Sequence, residues 1–210
     1  MPDAKICGIT TIDALDAAIE GGARFVGFVT YPKSPRFLTM DKLAALAARA
    51  RRRVETVLVT VNANDAEIAT ATAAAQPDWI QLHGTETVQR AVEVRPFARR
   101  GLIKAVGVAR REALLTVPPF EPVVDMFLFD AQAPKDGLPG GNALAFDWSL
   151  LAGAKIGRPW LLAGGLTPAN VKEAIAVSGA DLVDVSSGVE TAPGLKDPAL
   201  IAQFLAAAEV

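Results

Sequence analysis

Short runs of apolar residues alternate with alanine-rich segments of helical period from one end of the chain to the other. This alternation is typical of repeated strand–helix units. It predicts eight strands, at residues 4–8, 25–29, 55–61, 79–82, 102–106, 126–130, 160–163 and 182–185. It predicts eight helices, at residues 12–20, 40–51, 65–75, 86–95, 111–115, 146–151, 168–177 and 198–207.

Eight strands, each followed by a helix, in a chain of 210 residues predict a closed (β/α)8 barrel of the TIM type. An open doubly wound sheet shows a similar alternation, but it usually carries a glycine-rich fingerprint after its first strand, and Cys7-Gly8-Ile9-Thr10 is not one. No low-complexity stretch or linker divides the chain. We therefore expect residues 1–210 to form one catalytic barrel domain.

Residues at the predicted helix boundaries agree with this division. Thr10 or Thr11 can cap the first helix, and the glycine pair 21–22 can end it. Thr167 followed by Pro168 is a cap with proline at the first helical position. The fifth predicted helix is short, and prolines at 118, 119 and 122 prevent it from continuing.

The net charge of -2 offers no clustered basic face for nucleic acid. The one basic run, residues 49–53, lies at the end of a predicted helix, and we expect it to be a solvated helix end. A single cysteine excludes an intramolecular disulfide, and no Cys/His cluster has zinc-ligand spacing. No signal peptide or membrane-spanning run is present, so we expect a cytoplasmic protein without a membrane partner.

The first predicted strand carries the only cysteine of the chain, Cys7, at its carboxyl end. Barrel enzymes collect their reacting groups at this end of their strands. A lone cysteine is also often a small buried hydrophobic residue, so position alone leaves both interpretations open.

The sixth predicted strand ends on a carboxylate, Asp130, after four apolar residues. Such a side chain either accepts hydrogen bonds from the next loop or acts as a general acid, for which burial would raise its pKa. Its position at a strand end favours the general acid.

Glycines follow the last two predicted strands, as Gly164-Gly165 and as Ser187-Gly188. The loops after strands seven and eight often form a phosphate site in this fold, because unpaired backbone N–H groups attract an anion and glycine lets it approach closely. Each loop alone could be only a tight turn. Together they favour a phosphate ligand.

Two further candidates lie at the same predicted end of the barrel. Arg36 follows two prolines in a stiffened loop, where its guanidinium is either solvated or placed to bind a substrate carboxylate. His83, the only histidine, is either an acid or base or a neighbour that packs on the substrate.

Six motifs follow one another along the chain. They are Lys5-Ile6-Cys7-Gly8, Tyr31-Pro32-Lys33-Ser34-Pro35-Arg36, Gln81-Leu82-His83-Gly84, Phe146-Asp147-Trp148, Ala163-Gly164-Gly165-Leu166 and Asp184-Val185-Ser186-Ser187-Gly188-Val189-Glu190. Together they resemble one known family, the phosphoribosylanthranilate isomerases of tryptophan biosynthesis, and the resemblance runs from Lys5 to Asp197. Six ordered motifs are far more specific than any one of them.

The resemblance implies an Amadori rearrangement of N-(5-phosphoribosyl)anthranilate to 1-(2-carboxyphenylamino)-1-deoxyribulose 5-phosphate. It implies that Cys7 is the general base, that Asp130 is the general acid and that Arg36 faces the anthranilate carboxylate. It also implies that the loops with Gly164, Gly165, Ser187 and Gly188 hold the phosphate, and that no cofactor or metal is used. The expected partner is a small phosphosugar, and the chain is expected to be a monomer or a homodimer.

Two expectations depend on details of the site. A free thiol is mostly protonated at neutral pH, so we expect the local potential, from Lys5 or nearby N–H groups, to favour the thiolate of Cys7. The family usually has Gly-Gly-Thr/Ser-Gly-Lys before Phe-Asp-Trp, whereas this chain has Asn142, Ala143 and Leu144 after the glycine pair. This departure keeps open a phosphate-ligand binding protein without turnover. Another phosphosugar barrel enzyme is the second alternative.

Overall fold

Eight parallel strands pair in sequence order into a closed barrel in the computed structural model, which describes residues 3–132 and 146–208. They are β1 Asp3–Cys7, β2 Phe25–Val29, β3 Glu55–Thr60, β4 Trp79–Leu82, β5 Gly101–Val108, β6 Met126–Ala131, β7 Trp160–Leu162 and β8 Leu182–Val185. A short antiparallel hairpin of β9 Glu190–Ala192 and β10 Leu195–Lys196 follows the last of them. The predicted (β/α)8 barrel is confirmed.

Helices and short 3₁₀ segments connect the strands. The α-helices are α1 Ile12–Glu20, α2 Met40–Ala50, α3 Asp65–Ala75, α4 Val88–Val94, α5 Val171–Ser178 and α6 Pro198–Ala208. The 3₁₀ segments are Arg95–Phe97, Arg111–Thr116, Trp148–Leu151 and Ser187–Val189. Among the described residues, no helix is both long and apolar enough to cross a membrane.

Four of the predicted helices are wrong in type or in start, and the fourth of the eight begins at Val88 rather than at 86, after its N-cap Thr87. The fifth and sixth are 3₁₀ turns, and the fifth is followed at once by prolines that cannot continue a helix. The seventh begins at Val171 rather than at 168, because the Asn170 side chain closes a turn there. That side chain accepts from Thr167 N at 2.7 Å and donates to Gly165 O at 3.0 Å.

The basic run at the end of α2 lies at the surface, as expected. Arg49 and Arg53 form exposed ion pairs with Asp16 of α1. Such pairs contribute little to stability, because water screens them.

Each barrel strand divides its side chains between two layers. Residues such as Val26, Leu58 and Phe127 face outwards and pack under the helices in one large apolar cluster. The alternate positions face the barrel interior, where Cys7 and Leu128 belong to a second apolar cluster. Because side chains alternate along a strand, residues that are two positions apart face the same side of the barrel wall. This alternation decides which polar groups reach the mouth of the barrel.

The N-terminus of α3 offers a test of local stability. The Asn64 side chain accepts from Glu67 N at 3.0 Å, and the Glu67 carboxylate accepts from Asn64 N at 2.8 Å, which is a complete capping box. We expect Asn64→Ala to lower the free energy of unfolding by about 1 kcal/mol, because the Glu67 N–H loses its acceptor. Urea denaturation measures this loss.

Thr39 supplies the matched control, because it is also an exposed N-cap but its side chain makes no capping hydrogen bond. Thr39→Ala should change the free energy of unfolding by only a few tenths of a kcal/mol, roughly the effect of an ordinary surface substitution. Equal losses in the two variants would contradict the assignment of the capping box.

Candidate active site

Cys7 ends β1 with its side chain in the interior cluster, at the mouth formed by the carboxyl ends of the strands. Its residue surface is only 8% exposed. Gly27 of β2 lies beside it, and a Cβ added to Gly27 would be 2.9 Å from the Cys7 Sγ. The sulfur therefore packs directly on the backbone of the next strand, which requires glycine at that position.

A buried ion pair lies one layer below Cys7. Lys5 Nζ donates to Asp184 Oδ1 at 2.7 Å, and the Lys5 side chain has no exposed surface. The two residues are register partners where β1 and β8 close the barrel. Burial acts to lower the pKa of Lys5, but the charges and hydrogen bonds of Asp184 and Cys7 together outweigh it, and the pKa is raised. Lys5 therefore stays protonated beside the thiol.

The pKa of Cys7 lies above its ordinary value, contrary to our expectation. Burial disfavours the charged thiolate and raises the pKa, and Asp184 adds to this effect. Lys5 and Lys196 lower the pKa, as we had reasoned for Lys5, but they do not overcome the burial. The expectation was wrong because the sequence shows that a cation is nearby but does not show how deeply the Cys7 sulfur is buried.

Asp130 lies near the end of β6 with its carboxylate at the same mouth. Its Oδ1 accepts from Ala131 N at 2.8 Å, and its Oδ2 is 3.5 Å from His83 Nε2. The two side chains are 14% and 12% exposed, so water reaches both only in part. A Cβ on Gly164 would lie 3.2 Å from the Asp130 Oδ1. The loop after β7 thus packs closely on the proposed acid.

His83 is held in orientation by Gln81 of β4. The Gln81 Nε2 and His83 Nδ1 atoms are 2.6 Å apart. If the amide donates, His83 carries its proton on Nε2, the nitrogen that faces Asp130. Gln81 Oε1 is buried and has no hydrogen-bond partner in the part of the chain that the structure describes. His83, which follows β4, therefore reaches the proposed acid of β6 across the end of the strand between them, β5.

The two glycine-bearing loops meet. Gly164 and Gly165 have φ values of +86° and +68°, which favour glycine. A Cβ on Gly188 would lie 1.8 Å from the Leu166 carbonyl oxygen, so any side chain there would push the loops apart. The Gly165 N–H donates to no acceptor within residues 3–132 and 146–208. The loops therefore form one glycine-lined surface.

Arg36 is buried and not solvated. Its Nε and Nη2 donate to the two carboxylate oxygens of Glu190, each at 2.7 Å. Lys196 Nζ donates to the same Glu190 at 2.6 Å. Glu190 ended the last motif that we noted, but nothing in the sequence showed that it and Lys196 would lie against Arg36.

Not every sequence feature can be followed in the structure. The variant positions Asn142, Ala143 and Leu144 lie outside the described residues. Within the described part of the chain, no group of three or more His, Cys, Asp and Glu side chains could hold a metal ion.

The barrel order brings the catalytic candidates to one opening. Strands β6, β7, β8 and β1 are consecutive neighbours, and all run in the same direction. Asp130, the glycine loops and Cys7 follow one another around this arc, with Arg36 pairing to the segment after β8. A weak acid, a thiol, an arginine and a glycine-lined surface at one mouth can bind an anionic sugar derivative and move protons on it.

Comparison with known proteins agrees with this chemistry. A family model described as "PRAI: N-(5'phosphoribosyl)anthranilate (PRA) isomerase" matches residues 4–207. An N-(5'-phosphoribosyl)anthranilate isomerase of Paracoccus denitrificans is 54% identical over 97% of this chain and 95% of the relative. The crystal structure of phosphoribosyl anthranilate isomerase from Thermotoga maritima superposes with a TM-score of 0.88 at 35% identity, over 100% of this chain and 99% of that one.

A second solved structure was determined with a ligand. It is a phosphoribosyl anthranilate isomerase in complex with reduced 1-(o-carboxyphenylamino)-1-deoxyribulose 5-phosphate, with a TM-score of 0.84 and 32% identity over 100% of this chain and 99% of that one. Both the family model and the relatives cover nearly the whole chain, so the resemblance of the six motifs is confirmed. The chain belongs to the N-(5'-phosphoribosyl)anthranilate isomerase family.

Proposed function

We propose that this chain converts N-(5'-phosphoribosyl)anthranilate to 1-(2-carboxyphenylamino)-1-deoxyribulose 5-phosphate, with Asp130 as general acid and Cys7 as general base. The observation that carries these roles is the position of both side chains on the interior face of one barrel, at its carboxyl-terminal mouth. Membership of the family supports the reaction.

Asp130 acts first, on the ring oxygen of the sugar. Its protonated carboxyl donates a proton to that oxygen, the bond from the oxygen to C1 breaks, and the anilino nitrogen becomes a positively charged Schiff base. His83 Nε2 lies 3.5 Å from Oδ2, where it can contact both the carboxyl and a substrate bound beside it. Such a proton transfer by a positioned group typically contributes about 10² to 10⁴ in rate.

Cys7 acts second, on the hydrogen of C2. The Schiff base acidifies this carbon, the thiolate takes the proton, and the C–H electrons form the C1–C2 double bond of an enolamine while the nitrogen becomes neutral. The enolamine then gains a proton at C1 and loses its hydroxyl proton to give the ketone. The cationic nitrogen also favours the thiolate by Coulomb attraction, which offsets the burial that raises the pKa of Cys7 in the free protein.

The two anionic ends of the substrate meet different partners. The glycine-lined surface of Gly164, Gly165, Ser187 and Gly188 offers backbone N–H groups for the phosphate. Arg36 offers a guanidinium for the anthranilate carboxylate. Both lie on the loops around Cys7 and Asp130, so binding at both ends would place the sugar between acid and base.

The remaining expectations fit this proposal. One barrel domain carries all of the named residues, and a small phosphosugar is the partner that their chemistry suits. A cytoplasmic location is proposed because the mechanism requires Cys7 to remain a reduced thiol. Monomer and homodimer are both compatible with a mouth built from one chain.

The roles of the acid and the base can be tested directly. Phosphoribosylanthranilate is generated fresh and its fluorescence decay is followed with the purified protein. Cys7→Ala and Asp130→Asn should each lower kcat by about 10² to 10⁴, because each removes one proton transfer. Arg53→Ala, which removes only an exposed ion pair in the loop before β3, at the opposite end of the barrel, should keep the wild-type kcat. A wild-type protein that binds without converting the compound would instead be a binding protein.

The pH dependence of Cys7 follows from its burial. Because burial raises its pKa, the rate of alkylation by iodoacetamide should still be increasing at pH values above about 8.5, the ordinary pKa of a free thiol. Glutathione under the same conditions is the reference thiol. Cys7 is the only cysteine, so the total alkylation reports on it alone. A midpoint below that of glutathione would contradict the assigned electrostatics.

The phosphate site predicts competition by inorganic phosphate. Gly188→Ala should raise both KM and the inhibition constant of phosphate about tenfold or more, because losing a hydrogen bond to a charged group costs about 1.5–3 kcal/mol. Gly22→Ala is the control, since it is the same substitution in the loop between α1 and β2, at the opposite end of the barrel. Unchanged phosphate inhibition in Gly188→Ala would place the phosphate elsewhere.

A further inference from the structure

A buried ionic cluster lies beside Cys7, and we call its three members, Arg36, Glu190 and Lys196, the Arg36 cluster. Arg36 and Glu190 share two parallel hydrogen bonds of 2.7 Å, with side chains only 7% and 4% exposed. A bidentate pair of this kind fixes the plane of the guanidinium as well as its position. The pair alone would be neutral and would attract a carboxylate only weakly.

Lys196 changes the charge of the cluster. Its ammonium donates to Glu190 Oε1 at 2.6 Å and to Ser186 O at 3.2 Å, with no exposed side-chain surface. With Arg36 and Lys196 protonated and Glu190 ionised, these three side chains carry one net positive charge in a site from which water is largely excluded. Burial lowers the pKa of Lys196, and the charge of Glu190 opposes this effect. The partners hold the pKa of Glu190 below its ordinary value although burial acts to raise it, so the carboxylate stays ionised. The cluster can therefore attract an anion and remain internally paired.

The β9–β10 hairpin delivers Glu190 and Lys196 together to Arg36. Its turn residue Gly194 has a φ of +83° and donates from its N–H to Glu190 Oε2 at 3.2 Å. A Cβ on Gly194 would lie 2.4 Å from the Pro35 carbonyl oxygen, so the hairpin rests directly on the loop that carries Arg36. The Thr10 hydroxyl donates to Gly194 O at 2.8 Å, which ties the hairpin to the loop after β1.

The stem of Arg36 is held from the other side by Gly8. A Cβ on Gly8 would lie 2.5 Å from the Arg36 Cδ, so the aliphatic part of the side chain crosses the backbone next to Cys7. With its stem on Gly8 and its head on Glu190, Arg36 has little rotamer freedom left to lose when a ligand binds. Lys196 is also close enough to Cys7 to act on its charge.

We infer that Glu190 is the positioning residue of Arg36, and that Glu190 and Lys196 together make the Arg36 cluster select substrates whose aromatic ring bears a carboxylate. The inference rests on the proposed function, because it assumes that Arg36 meets this carboxylate. It adds two residues that determine specificity without touching the reacting atoms. Without Glu190, Arg36 would still be positively charged, but the orientation of its guanidinium plane would no longer be fixed.

The test compares two substrates. One is phosphoribosylanthranilate, and the other is the phosphoribosyl derivative of aniline, which lacks the carboxylate. Their ratio of kcat/KM measures discrimination. Glu190→Asp keeps the charge but shortens the side chain, so it cannot span both nitrogens of Arg36, and Lys196→Met removes the offsetting charge at similar length.

Each variant should lower the discrimination ratio about tenfold, as the loss of one hydrogen bond to a charged group does. For Glu190→Asp the change should appear mainly as a higher KM for the anthranilate compound, with kcat/KM for the aniline compound retained. Lys196→Met should in addition lower kcat equally for both compounds, because Lys196 acts on the charge of Cys7. Equal losses for both substrates with an unchanged discrimination ratio would overturn the inference, because they would show that Glu190 and Lys196 only hold the hairpin in place. Since the two variants change the cluster differently, a failure of one to fold leaves the other as the test.

Glu86→Asp is the matched control. Glu86 forms another buried ion pair at this end of the barrel, with Lys104 at 2.8 Å, and it does not contact Arg36. Shortening it should leave the discrimination ratio unchanged. If the wild-type protein converts the anthranilate compound but the Glu190 and Lys196 variants keep its ratio, this inference alone is wrong. If the wild-type protein converts neither compound, the proposed function is wrong and the inference falls with it.

Discussion

Closure of the sheet between its first and last strands is the constraint on which the site depends. The pairing of β1 with β8 sets Lys5 against Asp184 and Ile6 against Val185. This register brings the segment after β8, with its glycines and its hairpin, next to the carboxyl end of β1. Without closure, Cys7 would lie at a sheet edge, and neither the glycine-lined surface nor the Arg36 cluster would lie beside it.

The closed barrel also sets the electrostatic problem that the chemistry has to solve. A thiol on the interior face is withdrawn from water, which protects it but disfavours its anion. The Lys5–Asp184 pair cannot correct this fully, because the carboxylate that keeps Lys5 charged also repels the thiolate. The missing positive charge can come from the substrate, whose Schiff base exists only after the ring has opened. In this order of events the base would stay neutral until the Schiff base has formed and has acidified the C2 proton.

Much of the fold could be predicted from sequence, because strand position depends on local patterns. Short apolar runs placed all eight strands to within two residues of their observed ends, and they placed Cys7 and Asp130 at the same mouth. Helix starts were less predictable where a side chain competes with the helix. Asn170 is an example, since its side chain holds a turn that delays α5.

The charged part of the site could not be predicted in the same way, because its partners are far apart in the chain. Lys5 and Asp184 are separated by 179 positions, and Arg36 and Glu190 by 154. No local pattern reports such a pair, and the family motifs named the residues without their contacts. The direction of the Cys7 pKa was missed for a related reason, since burial is a property of the assembled barrel and not of the residues flanking Cys7.

An acidic protein that binds a substrate with two anionic ends needs local donors rather than a net positive charge. The chain has a formal charge of -2, and its mouth supplies two kinds of donor. Backbone N–H groups in the glycine loops bear no charge, so they need no counter-ion while the site is empty, and they suit a phosphate of any source. Arg36 and Lys196 are charged and would be costly to bury without a counter-ion, and Glu190 is the buried carboxylate that pairs with both. Glu190 cancels one positive charge and Lys196 restores it, so the cluster is paired in the free protein and still attractive to a carboxylate. General affinity would then come from the backbone, and selectivity from the three side chains that the hairpin brings together.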